Sequence, residues 1–505
     1  MMKNIKNIFW VALAAIAVLL TPSCNTESGV EGNESENANI VLSVSAKGVI
    51  FESDGGVATL EVTTNAESWE VINAISWVEV EIDGQSINLY ATENSNNASR
   101  KGEIIVIATT GKSTKEQSIT VEQVANGGIT AGGDLTFECP VFESLVLSAY
   151  DINGDGVLSA EEAAVVTDLV LTLDESSDEE QEAITSLKGI KNFVNLKNLD
   201  CDGNLLTSLD LSGMEKLEYV DCCYNNITEF NVNGCKSLKW IYCYMNNISK
   251  FYHEGCDQLI IFQAYRNSLT SIDMSGLKEL VYFDVRLNQL RDANITNCPK
   301  LQYAVVGSNN LISLDLSGLP ALESLGCYGN NIASLDLSGL PKLDFLECYG
   351  NNIASLDLTA NTAVTYVACQ NNLIEELKID NCKALRKIEC ENNRLTGSFN
   401  ANGFKSLTSL SCGGNRLTSL AAEQCTALTT LTCENTSITA LNIAPLTNLE
   451  KLVANDCMLT TLDCSNNLKL KTLYLQGNPL TSLVLATGQS ISDLKVDNYD
   501  VISYK

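Results

Sequence analysis

The sequence predicts a multi-domain, β-rich chain: a β-sandwich, then a small helical cap, then a long α/β-type solenoid with a parallel sheet on its concave face. Three observations predict it. Period-two apolar runs broken by turn residues fill 41–126. A string of closely spaced oxygen donors, DINGDGVLSAEE, stands at 151–162. From Leu196 onward a 21-residue pattern recurs so closely that CYGNNIASLDL, at 327–337, returns letter for letter at 348–358.

Composition narrows the function classes. The chain has 505 residues, with 32 Lys+Arg against 62 Asp+Glu, a formal charge of −30. Such a surface repels phosphate backbones and anionic headgroups, so no nucleic-acid partner is expected. The single histidine, His253, argues against His-based catalysis and multi-histidine metal sites.

The first element, 1–24, has Lys3 and Lys6 ahead of the apolar run IFWVALAAIAVLL and then TPSC, ending at Cys24. A basic start, a short apolar core and small residues before a cleavage point describe an export signal. Thirteen apolar residues are too few for an ordinary membrane span. With a cysteine at the cleavage position, the segment resembles a bacterial lipoprotein signal. The resemblance implies lipidation of Cys24 and anchoring at the outer membrane or cell surface, the lipid being the only contact with membrane. Ser23 fits that pattern; Thr21 departs from the usual aliphatic residue. Soluble secretion with an unmodified Cys24 is the alternative. Residues 25–40 are polar and acidic and read as a flexible tether.

The second element, 41–126, holds the runs IVLSVS, GVATLEVTT, SWEVI, WVEVEI, SINLYAT, GEIIVIAT and SITVEQV, punctuated by DGG, DG, NSNN and TGKST. This is the pattern of an all-β, immunoglobulin-like sandwich. Phe51 before Gly55–Gly56, Trp69 and Trp77, Asn94 before Arg100–Gly102, and Gln123 together resemble the BACON domain of Bacteroidetes surface proteins. That resemblance implies a glycan-rich setting. Trp69 and Trp77 lie in alternating runs and are expected to pack against the core.

The third element, 127–183, is read as a cap. Asp151, Asn153, Asp155, the Val157 carbonyl, Ser159 and Glu162 match the EF-hand loop, with Gly156 at its sharp turn. The cofactor expected here is Ca2+, held as a structural staple. Ser159 and Glu162 also form a capping box. Phe142, Leu145 and Ala149 are expected to share one face of the preceding helix. A repeat array needs its first core layer covered, and internalins are similar in placing an EF-hand-like helical cap before their repeats.

The last element, 184–505, follows L-x-x-L-x-C-x-x-N-x-L, which is the leucine-rich repeat; it looks most like the short repeats of Bacteroidetes surface proteins. Fourteen units are legible from Leu196, and their asparagine column runs from Asn204 to Asn478, with Thr436 and Cys457 as exceptions. One turn cannot bury its own apolar face, so stacked turns share one core. Asparagine in the column is placed to bond backbone groups left unpaired in a tight bend. Cys201, Cys222, Cys243, Cys327, Cys348, Cys369, Cys390, Cys412 and Cys433 fill one inward column, and Cys235, Cys256, Cys298, Cys382 and Cys425 a second. They read as small apolar fillers and mostly as buried thiols.

On each inner strand, x-L-x-C-x, the three x residues face the concave side. Tyr219, Trp240, Tyr242, Tyr244, Tyr265, Tyr282, Tyr303, Tyr328, Phe345, Tyr349 and Tyr366 all fall there. Tyrosine offers contact area with a polar tip, which suits an interface. The expectation is a surface-anchored, non-enzymatic protein that binds a host or bacterial protein through this belt. A polysaccharide- or mucin-binding accessory role is the alternative. A polymer-degrading enzyme ranks behind both, because no carboxylate pair stands in an evident catalytic frame.

Overall fold

The computed structural model describes residues 40–51, 55–94, 100–111, 113–123, 135, 137–172 and 182–505. The export signal, Cys24 and the tether up to residue 39 lie outside the described residues, as does most of the acidic run at 174–182. The chain divides into two compact units that meet at 126/127.

The first unit is two four-stranded sheets: β1 (Leu42–Val44), β3 (Gly56–Thr64), β6 (Ser86–Ala91) and β5 (Val78–Asp83) in one, and β2 (Gly48–Phe51), β8 (Ser113–Gln123), β7 (Arg100–Thr110) and β4 (Ser68–Asn73) in the other. Alternation decides which face each strand buries. Val49, Leu60, Val62, Ile87, Leu89, Ile104, Val106, Ile119 and Val121 are at most 3% exposed and form one core drawn from both sheets. Trp69 and Trp77 pack against its margin, half-buried. Arg100 stacks 4.6 Å above Trp77 and donates two bonds to Gln123 Oε1, at 2.9 and 2.6 Å, and one to the Thr92 carbonyl at 2.6 Å. The sequence landmarks Trp77, Arg100 and Gln123 therefore meet as a polar brace at the core's edge.

The second unit is a solenoid. A sixteen-stranded parallel sheet runs from Asp168–Val170 to Asp493–Lys495, each strand paired in register with the next. Most neighbouring strands lie 21 residues apart, as in Tyr219↔Trp240 and Leu346↔Val367. The sheet starts sixteen residues ahead of 184 and gains a strand at each end over the fourteen legible units. Those two terminal turns pair correctly but lack the cysteine and asparagine signature. Short ladders, such as Ser208–Asp210 with Glu229–Asn231, line the returning side.

The asparagine column pins each turn to its neighbours. In Asn330, Oδ1 accepts the Leu311 amide at 2.9 Å, while Nδ2 donates to the Val306 carbonyl of the preceding turn at 3.0 Å and to Cys327 at 3.1 Å. The same pattern holds at Asn225, Asn246, Asn351 and Asn372. Buried backbone groups demand such partners. At the two breaks, Thr436 Oγ1 and Cys457 Sγ lie 3.2 Å apart, and each bonds the Cys433 carbonyl.

All eighteen described cysteines are buried free thiols. The second column does more than fill space. Cys235, Cys256, Cys298 and Cys425 each donate Sγ–H to a carbonyl of the preceding turn at 3.1–3.2 Å. Asn361 and Asn467 occupy the same column and use Nδ2 for the same purpose at 2.9 Å. The column thus alternates between compact donors and apolar fillers such as Leu277, Leu319 and Leu340.

The N-terminal layer of the core is closed by α1 (Pro140–Tyr150), α2 (Ala160–Ala164) and the strand at 168–170. Phe142 and Val146 are fully buried and join Leu158, Ala163, Val166, Ile190 and Phe193 in the core of the solenoid. The inward face of α1 is Phe142–Val146, an i, i+4 pair; Leu145 and Ala149 are exposed, contrary to the expected face.

Candidate functional site

Each strand of the long sheet up to Thr472–Tyr474 buries its central residue and turns its first and third outward, as in Trp240-Ile241-Tyr242. All eleven expected aromatic residues lie on this outward face, most of them half-buried; Tyr303 and Phe345 are the most open, at 37%. Because like positions stack in register, rings from successive turns meet. Tyr219 packs on Tyr242 at 5.7 Å, Tyr282 on Tyr303 at 6.0 Å and Phe345 on Tyr366 at 4.4 Å.

The outward residue just past each strand builds the most ordered feature. Tyr244 and Tyr265 are stacked 4.4 Å apart and 8° from parallel. The Arg286 guanidinium lies 4.9 Å over Tyr265, and the Tyr328 phenol two turns on is among the groups that hold it charged. Tyr328 then stacks on Tyr349 at 4.9 Å and 5°. Gly307 makes this continuous. A Cβ there would stand 2.5–2.7 Å from three atoms of the Tyr328 ring. Only a bare backbone lets that ring lie over the turn between it and Arg286. The result is one column, Tyr244, Tyr265, Arg286, Tyr328, Tyr349, whose ring faces are largely spent on one another. Stacking and cation–π contacts of this kind contribute about 0.5–1.5 kcal/mol each.

Beneath the rings lie buried charges. Asp284 is 1% exposed and pairs with Arg286 at 3.3 Å. Burial pushes its carboxyl up to about 6 against the pull of Arg286. Burial likewise raises Asp221 to about 6 and the Tyr242 phenol to about 12, so the tyrosines stay neutral hydrogen-bond donors. Past Tyr366 the face turns polar. Lys387 pairs with Glu389 at 2.8 Å and sits 5.0 Å from the Tyr366 ring. Gln370 Oε1, Glu391 Oε2 and Glu434 Oε2 are covered by the protein and accept no hydrogen bond.

A further row borders the face. The residue before each column asparagine has φ between +50° and +74°, and glycine or asparagine fills most of these positions. Four successive turns instead carry Tyr224, Met245, Arg266 and Leu287 there. Tyr224 and Leu287 are each 43% exposed, and Tyr224 meets Tyr244 edge-on at 5.6 Å. Bulky side chains in this conformation are strained by about 1–2 kcal/mol each. Aligning the repeats column by column exposes this row; reading for aromatics alone passes over it, and over Arg286 and Gly307 as well.

The loop at 151–162 is organised around its own amides. Asp151 accepts from the Gly154 and Gly156 amides at 2.8 and 2.9 Å, Asn153 from Asp155, and Asp155 from Val157. Gly154 and Gly156 take left-handed φ of 75° and 82°. Glu162 is 3% exposed; its oxygens accept from the Ile152 and Ser159 amides and the Ser159 hydroxyl, all at 2.8 Å. The oxygen-only donor set suits a hard cation in chemistry and spacing. Glu162 is here committed to the capping box, and among the described residues no three acidic, thiol or imidazole groups converge. His253 stacks on Phe251 at 5.3 Å and bonds the Asp273 carbonyl at 2.8 Å, a packing role.

No family model matches the chain, and no curated protein matches it. Solved structures do. The functional domain of InlJ from Listeria monocytogenes, whose description includes a cysteine ladder, is similar at 25% identity and a TM-score of 0.52, over 71% of this chain and 83% of that one. YopM from Yersinia pestis, a leucine-rich effector protein, is similar at 22% identity and a TM-score of 0.50, over 60% of this chain and 83% of that one. Register, the asparagine column and the inward cysteines together make the second unit of this chain a solenoid of the leucine-rich-repeat fold.

Proposed function

We propose that this chain is an exported, non-enzymatic binding protein that recognises a host or bacterial protein through the outward face of its long sheet. The observation that carries the reading is the column Tyr244–Tyr265–Arg286–Tyr328–Tyr349. Rings fixed by stacking lose little entropy on binding and offer edges and hydroxyl tips, which suits a protein surface. A sugar would stack on open ring faces, and in this column those faces are turned to one another; the glycan-binding alternative is weaker for that reason. InlJ and YopM share the fold.

On the same reading Cys24 carries a lipid anchor at the cell surface, 41–126 is a BACON-like sandwich suited to a glycan-rich setting, and 151–162 takes one Ca2+. Asp151, Asn153, Asp155, Val157 and Ser159 would hold the ion with Glu162, and the ion would fix the cap over the first core layer.

Capture from host protein and bacterial glycan pools tests the proposal. Wild type should retain a protein, and a Trp240→Ala/Tyr242→Ala/Tyr265→Ala variant of unchanged melting temperature should lose it. Equal capture by both would remove the aromatic face, and capture of polysaccharide alone would favour the glycan alternative.

A further inference from the structure

The outward face is acidic as well as aromatic. Between Asn198 and Glu434 its carboxylates are Asp200, Asp202, Asp221, Asp284, Glu347, Glu389, Glu391 and Glu434, and its cations are Arg286 and Lys387. Both cations are already engaged, Arg286 with Asp284 and Lys387 with Glu389. Glu347, Glu391 and Glu434 are half-buried and form no ion pair among the described residues.

The chain's own cations show how a partner's would sit. On this face Arg286 lies 4.9 Å over Tyr265, Lys387 5.0 Å over Tyr366 and Lys495 4.0 Å over Tyr474, while Lys239 beside it approaches Trp240 at 5.6 Å. Arg286 and Lys387 also pair with a carboxylate there, so ring plus carboxylate is a recurring cation seat.

Resting on the protein-binding reading above, we propose that the occupant of this face is a basic stretch of protein chain, whose lysine and arginine side chains meet Glu347 beside Tyr349 and Glu391 and Glu434 on the polar turns beyond Tyr366. Charge complementarity selects it. The strands bearing these three residues span four inter-strand steps, about 19 Å, which is the reach of about six extended residues.

The test uses the full chain and three fluorescent 20-residue peptides, one Lys/Arg-rich, one neutral and one acidic, at physiological salt. The basic peptide should bind best. Glu347→Gln/Glu391→Gln/Glu434→Gln should weaken it about tenfold or more, as expected when three half-buried charge pairs are lost together. The control Asp315→Asn/Asp336→Asn/Asp357→Asn removes equal charge from exposed turns away from the face and should change binding less than about threefold. Equal losses in the two triples would mean bulk attraction to a polyanion and overturn the inference. So would absence of binding to the basic peptide, or equal binding of the neutral one. If the neutral peptide binds and Tyr265→Ala abolishes that binding, the charge preference falls while the protein-binding reading stands. If Tyr265→Ala and the glutamine triple both leave every bound peptide unchanged, the face itself is excluded and both fall.

Discussion

Replacing Asn330 by alanine tests the principle that holds the turns together. Its side chain is 7% exposed. It satisfies the Leu311 amide at 2.9 Å and the Val306 carbonyl at 3.0 Å, two groups on different stretches of chain, and backs this with the Cys327 and Tyr328 carbonyls at 3.1 and 3.2 Å. Alanine reaches none of them, and the bend is buried. Each orphaned backbone group costs about 1–3 kcal/mol, so the two principal ones together predict a loss of about 2–6 kcal/mol. Asn478, near the end of the array, makes the equivalent bonds to Leu459 and Ala454 in a part-buried setting where water can take over. Asn478→Ala should therefore lose about 1 kcal/mol. Urea unfolding followed by circular dichroism measures the difference, and hydrogen exchange at the Leu311 amide localises it. Equal effects at the two positions, or a loss under about 1 kcal/mol at Asn330, would refute the reasoning.

Three further outcomes follow from the same geometry. Asp284 has a folded-state pKa of about 6 against an ordinary 3.8, so the folded chain binds more protons between those values and this group's contribution to stability falls as pH rises from about 4 to 6. Asp284→Asn should remove a pH-dependent difference of up to about 3 kcal/mol across that window, seen by comparing urea midpoints of the two proteins at each pH. Gly307→Ala should push the Tyr328 ring off its floor, weakening ligand capture about tenfold while lowering the melting temperature by only a few degrees. Calcium at about a hundredfold over its Kd should stabilise the cap by about 2.7 kcal/mol in wild type and not in Glu162→Gln; a shift equal in both, or absent from both, contradicts the staple.

The solenoid was legible because stacking enforces repetition. A column that must bury leucine or bond a bend in every turn writes the same letter every 21 residues, and Leu199, Val220 and Ile241 are buried as that logic requires. Where a turn carries no ladder residue, as at 168–170 and 493–495, the same pairing leaves little mark in the sequence. The second cysteine column was legible as small and apolar, but its Sγ–H bonds to the preceding turn emerge only with the carbonyls in place. In α1 the residues three and four on from Phe142 both lie toward its face, and packing against the repeats decides that Val146 enters the core while Leu145 stays exposed. The positions of the aromatic residues were legible; their stacking was not. It depends on Arg286 standing between two tyrosine pairs and on the missing side chain of Gly307, neither of which signals itself by residue type.

The most direct test of the account is a hydrogen-exchange and hydroxyl-radical footprint of the chain with and without its captured protein partner. Protection centred on 240–244, 261–265, 282–286, 324–328 and 345–349, with the returning side at 208–210, 229–231 and 250–252 unchanged, is the result the account predicts. Protection of the returning side or of the first unit, with the tyrosine rings as reactive in the complex as in the free chain, would contradict it.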